Sequence, residues 1–147
     1  MDNRKKLIIV DDHPLFRKGL KDLISMDDNL HLVGEGASGL EGVEVARLNP
    51  ADLILLDMNM AEMDGLSTLK ALKEEMPEIR VVMLTVSDNE EDVVAALRAG
   101  ADGYLLKDME PEEILDSVND ALNDNLVVSD KLARLLAQAL RGGGVPK

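Results

Sequence analysis

A doubly wound parallel α/β sheet is the fold class this sequence predicts, and three observations carry it. Short apolar runs alternate five times with longer amphipathic stretches. The runs are rich in Leu, Ile and Val and lack the polar alternation of a half-exposed strand, so they read as strands buried on both faces. The chain has 147 residues, enough for one domain with a single core, or one domain plus a tail.

Each element has its own justification. Leu7 to Val10 is short and β-branched and forms the first strand. Pro14 to Met26 places Leu15, Gly19, Leu20, Leu23 and Ile24 at helical spacing, with Pro14 suited to a first turn. Leu30 to Val33 is a weaker second strand. Ser38 to Leu48 reads as a helix capped by Ser38, with Glu41 three residues on. Leu53 to Leu56 is the third strand, followed by a loop through Gly65 and a helix from about Ser67 to Glu75. Val81 to Leu84 is the fourth strand, and Glu90 to Ala99 a helix ended by Gly100. Gly103 to Leu106 and Glu110 to Leu122 complete the fifth pair.

Five βα units with right-handed crossovers leave few windings. The flavodoxin-like (βα)5 order 2-1-3-4-5 is the leading one. It makes strands one and three neighbours and puts the ligand crevice outside their C-terminal ends. The chain changes character near Leu126. Residues 126–147 carry Lys131, Arg134, Arg141 and Lys147 against Asp130 alone. Ser129 is placed to cap an extra C-terminal helix through Leu140, before Gly142-Gly143-Gly144 breaks it. The reading is therefore a domain over 1–125 and a linker helix with a flexible tail over 126–147. Whether that helix packs on the domain or serves an interdomain or dimer contact stays open.

Composition removes several functions. Asp and Glu number 29 against 16 Lys and Arg, a formal charge of −13, which disfavours direct nucleic-acid binding. There is no cysteine, so disulfides, thiolate metal sites and cysteine nucleophiles are excluded. Two His residues are too few for a His-rich metal site. One Phe and one Tyr make a base-stacking platform implausible. No apolar run spans a bilayer. The segment before Asp11 offers only Leu7 to Val10, too short for a signal-peptide core, so no membrane role and a cytoplasmic location are expected.

The chemistry lies at strand ends. Asp11 and Asp12 end strand one and Asp57 ends strand three, so three acids converge at the switch point. Like charges held together need a counter-ion, and carboxylate oxygens suit Mg²⁺. Thr85 ends strand four and Lys107 ends strand five. A lysine and a hydroxyl beside a metal-loaded acid cluster describe a site for a metal-bound phosphoryl group. His13 invites a metal or acid-base role but reads more readily as a loop residue beside Pro14, and Met58, Met60 and Met63 read as loop and core filler.

Asp11-Asp12, Asp57, Thr85 and Lys107, each at a strand end, resemble the receiver domain of bacterial two-component response regulators, over residues 5 to about 124. Asp11-Asp12-His13-Pro14-Leu15, Ser87 to Val94 and Gly100 to Asp108 resemble its nitrate/nitrite-responsive NarL-type branch, which joins the receiver through a linker helix to a LuxR-type helix-turn-helix domain. No such DNA-binding domain is expected within this chain. The resemblance implies that Asp57 accepts a phosphoryl group from a sensor histidine kinase. It implies Mg²⁺ held by Asp12, Asp57 and the backbone carbonyl of Asn59, with Asp11 acting mostly through a water. Lys107 would pair with a phosphoryl oxygen, and Thr85 and Tyr104 would be the switch residues. Asn59 and Ser87, each two residues past an active-site residue, would tune dephosphorylation. The change would reach a surface built from the fourth helix, fifth strand and fifth helix. The implied partners are the kinase, a C-terminal DNA-binding domain in a longer parent, and a second copy of the chain on phosphorylation.

Two positions depart from the pattern. Ala61 stands where receivers often have proline, which leaves that loop less restrained. Val86 is larger than the residue many receivers place after the switch threonine, although the NarL-type branch shares it. The alternatives are a stand-alone receiver that regulates a protein partner and, less favoured, an aspartyl-nucleophile phosphatase of the haloacid-dehalogenase type, weakly suggested by Asp57-Met58-Asn59. Asn59 lacks the acid-base capacity such an enzyme needs, so a switch rather than an enzyme is expected. A flavin or nucleotide binder is disfavoured because Asp11 to Pro14 occupies the place of a glycine-rich phosphate loop.

Overall fold

The computed structural model describes residues 3–60, 62–86 and 89–141. The chain runs β1 (Lys5–Val10), α1 (Pro14–Ser25), β2 (Leu30–Gly36), α2 (Gly39–Leu48), β3 (Leu53–Asp57) and α3 (Gly65–Glu75). It continues as β4 (Arg80–Thr85), α4 (Glu90–Arg98), β5 (Gly103–Leu106), α5 (Pro111–Leu122), β6 (Val127–Val128) and α6 (Asp130–Arg141). The strands form one parallel sheet in the order β2-β1-β3-β4-β5-β6.

Alternate strand residues feed two cores, one on each face of the sheet. Ile8, Val10, Ile54, Leu56, Val81 and Met83 pack with Val43 of α2, Leu69 and Leu72 of α3, and Val93 and Ala96 of α4. Leu7, Ile9, Leu53, Leu55, Val82 and Leu84 pack with Leu20 and Ile24 of α1 and with Ile114 and Val118 of α5. Both faces of the central strands are covered, which is why those strands read as unbroken apolar runs.

Caps set several boundaries. Ser38 Oγ accepts the Glu41 amide N–H at 3.2 Å, as the sequence suggested. Asp64 Oδ1 accepts the Ser67 N–H at 2.8 Å, so α3 starts at Gly65, two residues earlier than its pattern implied. Gly65 has room there for no side chain, since a Cβ would run into the Asp57 carbonyl. Gly100, at φ +102°, ends the turn after α4 in the left-handed region glycine tolerates.

The expected order 2-1-3-4-5 holds, and a sixth strand extends it. Val127 and Val128 pair with Gly103 and Tyr104, so the charge change near Leu126 falls inside the sheet. Two residues are too few to show a period. Ser129 Oγ accepts the Leu132 N–H at 3.4 Å at the start of α6. Leu132 is fully buried in the core that α4 lines, with Leu135 and Leu136 packed against it. The extra helix therefore packs on the domain. The Gly142–Gly144 tail lies outside the described residues. Among the described residues no helix is long and apolar enough to cross a membrane.

Candidate functional site

The parallel register brings the acids together. Val10 pairs with Leu56, so Asp11 and Asp57 leave adjacent strands at one sheet edge. Asp11 and Asp57 are buried, at 0% and 1% exposure, and Asp12 lies at the pocket rim. The Asp11 amide donates to the Gly36 carbonyl at 3.0 Å. Arg17 of α1 donates to the Asp11 carbonyl and, through Nε, to Glu35 Oε1 of β2 at 2.9 Å. Lys21 pairs with Glu35 at 2.7 Å, and its hydrogen bond is the largest influence holding the Glu35 carboxyl below the usual range.

Lys107 enters from the end of β5. Its amide donates to the Thr85 carbonyl at 2.8 Å. Its Nζ lies 2.7 Å from Asp11 Oδ2 and 3.3 Å from Asp57 Oδ1, with the side chain almost wholly buried. It also sits 4.7 Å from the centre of the Phe16 ring, within cation–π range. The Asp57 carboxyl is pushed above its ordinary value, first by burial and then by the Asp11 charge. The Asn59 amide, which donates to Asp57 Oδ1 at 3.1 Å, and Lys107 offset only part of this.

One ammonium faces three carboxylates. Asp12 Oδ1 and Asp57 Oδ2 are buried and accept no hydrogen bond among the described residues. Two unpartnered anionic oxygens in one pocket are costly by themselves. An oxygen donor set of this kind fits a hard divalent cation.

Thr85 is fully buried and accepts a hydrogen bond from the Asn59 side-chain amide at 3.2 Å. Asn59 thus joins the loop after β3 to β4 through its side chain. Tyr104 is fully buried, and burial pushes its phenol up to about 12. The Thr85 hydroxyl beside it offsets part of that rise through a hydrogen bond. Val86 is exposed. Ser87 and Ala61 lie outside the described residues, so of the two expected tuning positions only Asn59 can be placed.

The sequence reading undervalued His13. Its amide donates to Asp11 Oδ1 at 2.7 Å. Its Nδ1 lies 3.0 Å from Asp11 Oδ1, 3.3 Å from Asp12 Oδ1, 3.6 Å from Asp57 Oδ2 and 3.0 Å from Lys107 Nζ. His13 is the loop residue beside Pro14 that the pattern suggested, and its ring faces the acid cluster. Phe16 and Arg17 were also missed, for neither motif nor spacing links them to Lys107 or Asp11. The one available signal was position: His13 directly follows two acids at a strand end.

A parallel sheet with three acids at the β1/β3 switch point, a buried lysine just past β5 and a buried threonine on β4 defines a class. The family model for the response regulator receiver domain matches residues 7–119, and the chain belongs to that family. Within it, the chain is NarL-like. It is 49% identical over 135 residues to the nitrate/nitrite response regulator protein NarL of Escherichia coli (strain K12), covering 92% of this chain and 62% of that protein. It is 42% identical over 138 residues to the nitrate/nitrite response regulator protein homolog of Haemophilus influenzae, covering 94% of this chain and 66% of that one. The signal receiver domain of the putative response regulator NarL from Mycobacterium tuberculosis superposes with a TM-score of 0.78 at 33% identity, covering 82% of this chain and 98% of that one. The chain spans about three fifths of the length of the curated relatives it matches.

Proposed function

We propose that this chain is a phosphorylation-controlled switch in which Asp57 accepts a phosphoryl group from a sensor histidine kinase. The observation that carries the reading is the state of Asp57: buried, 3.3 Å from Lys107, with one oxygen unpartnered among two further acids. In the transfer, an Asp57 oxygen forms a bond to phosphorus as the bond to the donor imidazole breaks, and the imidazole leaves with the bonding pair. Lys107 pairs with a phosphoryl oxygen and balances its charge. Asp12, Asp57 and the Asn59 carbonyl would hold Mg²⁺, with Asp11 behind them. Bound there, Mg²⁺ neutralises charge on the transferring group.

The Thr85 hydroxyl, already within 3.2 Å of Asn59, is the donor best placed to follow a new anion on Asp57. Tyr104, paired with Met83 and Val128 across the sheet, would carry that movement to the α4-β5-α5 face. The output would be transcriptional control through a DNA-binding domain in a longer parent, in the cytoplasm, with a homodimer formed on phosphorylation. The nitrate/nitrite names of the relatives suggest the class of signal. The chain is a switch and not a turnover enzyme: Asn59, bonded to Thr85, offers no general acid for hydrolysis.

Incubation with acetyl phosphate and Mg²⁺, followed by intact mass measurement, tests this. One phosphoryl group per chain is expected. Multiple-turnover hydrolysis of small phosphate esters without a stable adduct would favour the phosphatase reading instead.

A further inference from the structure

We propose that His13 is a nitrogen ligand of the divalent cation in this pocket, and that it makes the site favour a first-row transition ion such as Mn²⁺ over Mg²⁺. This rests on the pocket being a cation site. Its Nδ1 is within 3.6 Å of one oxygen from each of Asp11, Asp12 and Asp57. Those four side chains can present one nitrogen and three oxygens to a single ion, all within 4.8 Å of one another. Asp57 Oδ2 is buried and unpartnered, and it points into the same space.

The hydrogen-bond chemistry of Nδ1 supports ligation. Lys107 Nζ is 3.0 Å away and can only donate. Asp11 Oδ1 is also 3.0 Å away and can only accept while ionised. A bare Nδ1 satisfies the lysine and opposes the carboxylates; a protonated Nδ1 does the reverse. No tautomer suits both. A cation held between the nitrogen and the oxygens removes the conflict, because it takes a lone pair from each. Lys107 then keeps its contacts with Asp11 and Asp57. The ring is 58% exposed, so it can adjust to an ion without rearranging the core.

Donor type sets the preference. Mg²⁺ takes oxygen ligands and holds its waters tightly, so an imidazole adds little to its binding. Mn²⁺ accepts imidazole more readily, and ions later in the first transition series more readily still. Loss of His13 should therefore weaken Mn²⁺ and leave Mg²⁺ nearly unchanged.

The test uses Mn²⁺ as the probe, at about pH 8, where an unperturbed imidazole is neutral. Pulsed electron paramagnetic resonance reads nitrogen-14 coupling to bound Mn²⁺, and titration reads affinity, with Mg²⁺ measured by competition. In the parent we expect a coupled nitrogen. It should vanish in His13→Ala and in His13→Gln, with Mn²⁺ affinity falling at least roughly tenfold and Mg²⁺ affinity moving less than about threefold. Mn²⁺ bound by the parent without coupling, or coupling that survives in both variants, overturns the assignment while leaving the pocket a cation site. Tighter Mg²⁺ binding in His13→Ala without coupling in the parent shows that the ring competes with the ion, and also overturns it. No Mn²⁺ or Mg²⁺ binding by the parent defeats the cation site itself.

Discussion

The two edges of the sheet treat aspartate in opposite ways. At the edge where strands begin, Asp52 Oδ2 accepts the Lys6 amide at 2.8 Å. Asp102 Oδ2 accepts the Val81 amide at 2.9 Å and the Lys73 ammonium at 2.9 Å. Asp124 takes two hydrogen bonds from Arg80. At the edge where strands end, Asp12 and Asp57 each keep a buried oxygen with no hydrogen bond among the described residues, Asp11 and Asp57 share Lys107, and all three acids share the facing edge of His13. The residue type is the same. What separates structural acids from a functional site is whether their oxygens are satisfied. A fold leaves carboxylates short of donors where a cation and an anion are to be bound.

The largest expected contrast lies in labelling. Asp57→Asn should abolish the mass gain from acetyl phosphate and Mg²⁺, and Asp52→Asn at the opposite edge should leave it unchanged. Undiminished labelling in Asp57→Asn would place the acceptor elsewhere.

Stability should show the reverse contrast. Asp102→Ala removes the acceptor of a buried strand amide and leaves Lys73 with the Ile79 carbonyl but no counter-charge, so it should cost about 1–3 kcal/mol by denaturant unfolding. Asp57→Asn should stabilise the metal-free protein at neutral pH. The folded Asp57 carboxyl is raised above its unfolded value. The stability linked to it is therefore fully present below the unfolded pKa and lost as pH rises through the folded one. The variant escapes that loss, so its higher melting temperature should shrink towards the parent's as pH is lowered through the carboxylate range. A constant gap across that range would assign the effect to something other than ionisation.

Tyr104→Phe should give the smallest change. The hydroxyl it removes is buried and has the Thr85 hydroxyl as its neighbour, which keeps its bond with Asn59, so stability should move by no more than about 1 kcal/mol. A larger loss, measured by unfolding, would mean that the Thr85 hydroxyl holds it firmly.

Much of this comparison was legible in the sequence. A strand buried on both faces announces itself as an apolar run, and the residue after each run marks the edge. That logic places Asp11, Asp57, Thr85 and Lys107 at one edge from the sequence alone. It failed where contacts depend on side-chain direction or distant pairing. His13 was set aside because a loop residue's rotamer leaves no trace in spacing. The Phe16 ring over Lys107 and the Lys73–Asp102 pair join residues with no periodic relation. Val127–Val128 is too short for a pattern. The open question about the last helix was decided by one side chain, Leu132, which the core takes in completely.

The central claim is that the unsatisfied edge carries one acceptor, Asp57. Borohydride reduction of the phosphorylated chain converts an aspartyl phosphate to homoserine, and peptide mass spectrometry locates it. The account predicts homoserine at position 57 alone. Homoserine at position 11 or 12, or at the satisfied edge, would contradict it.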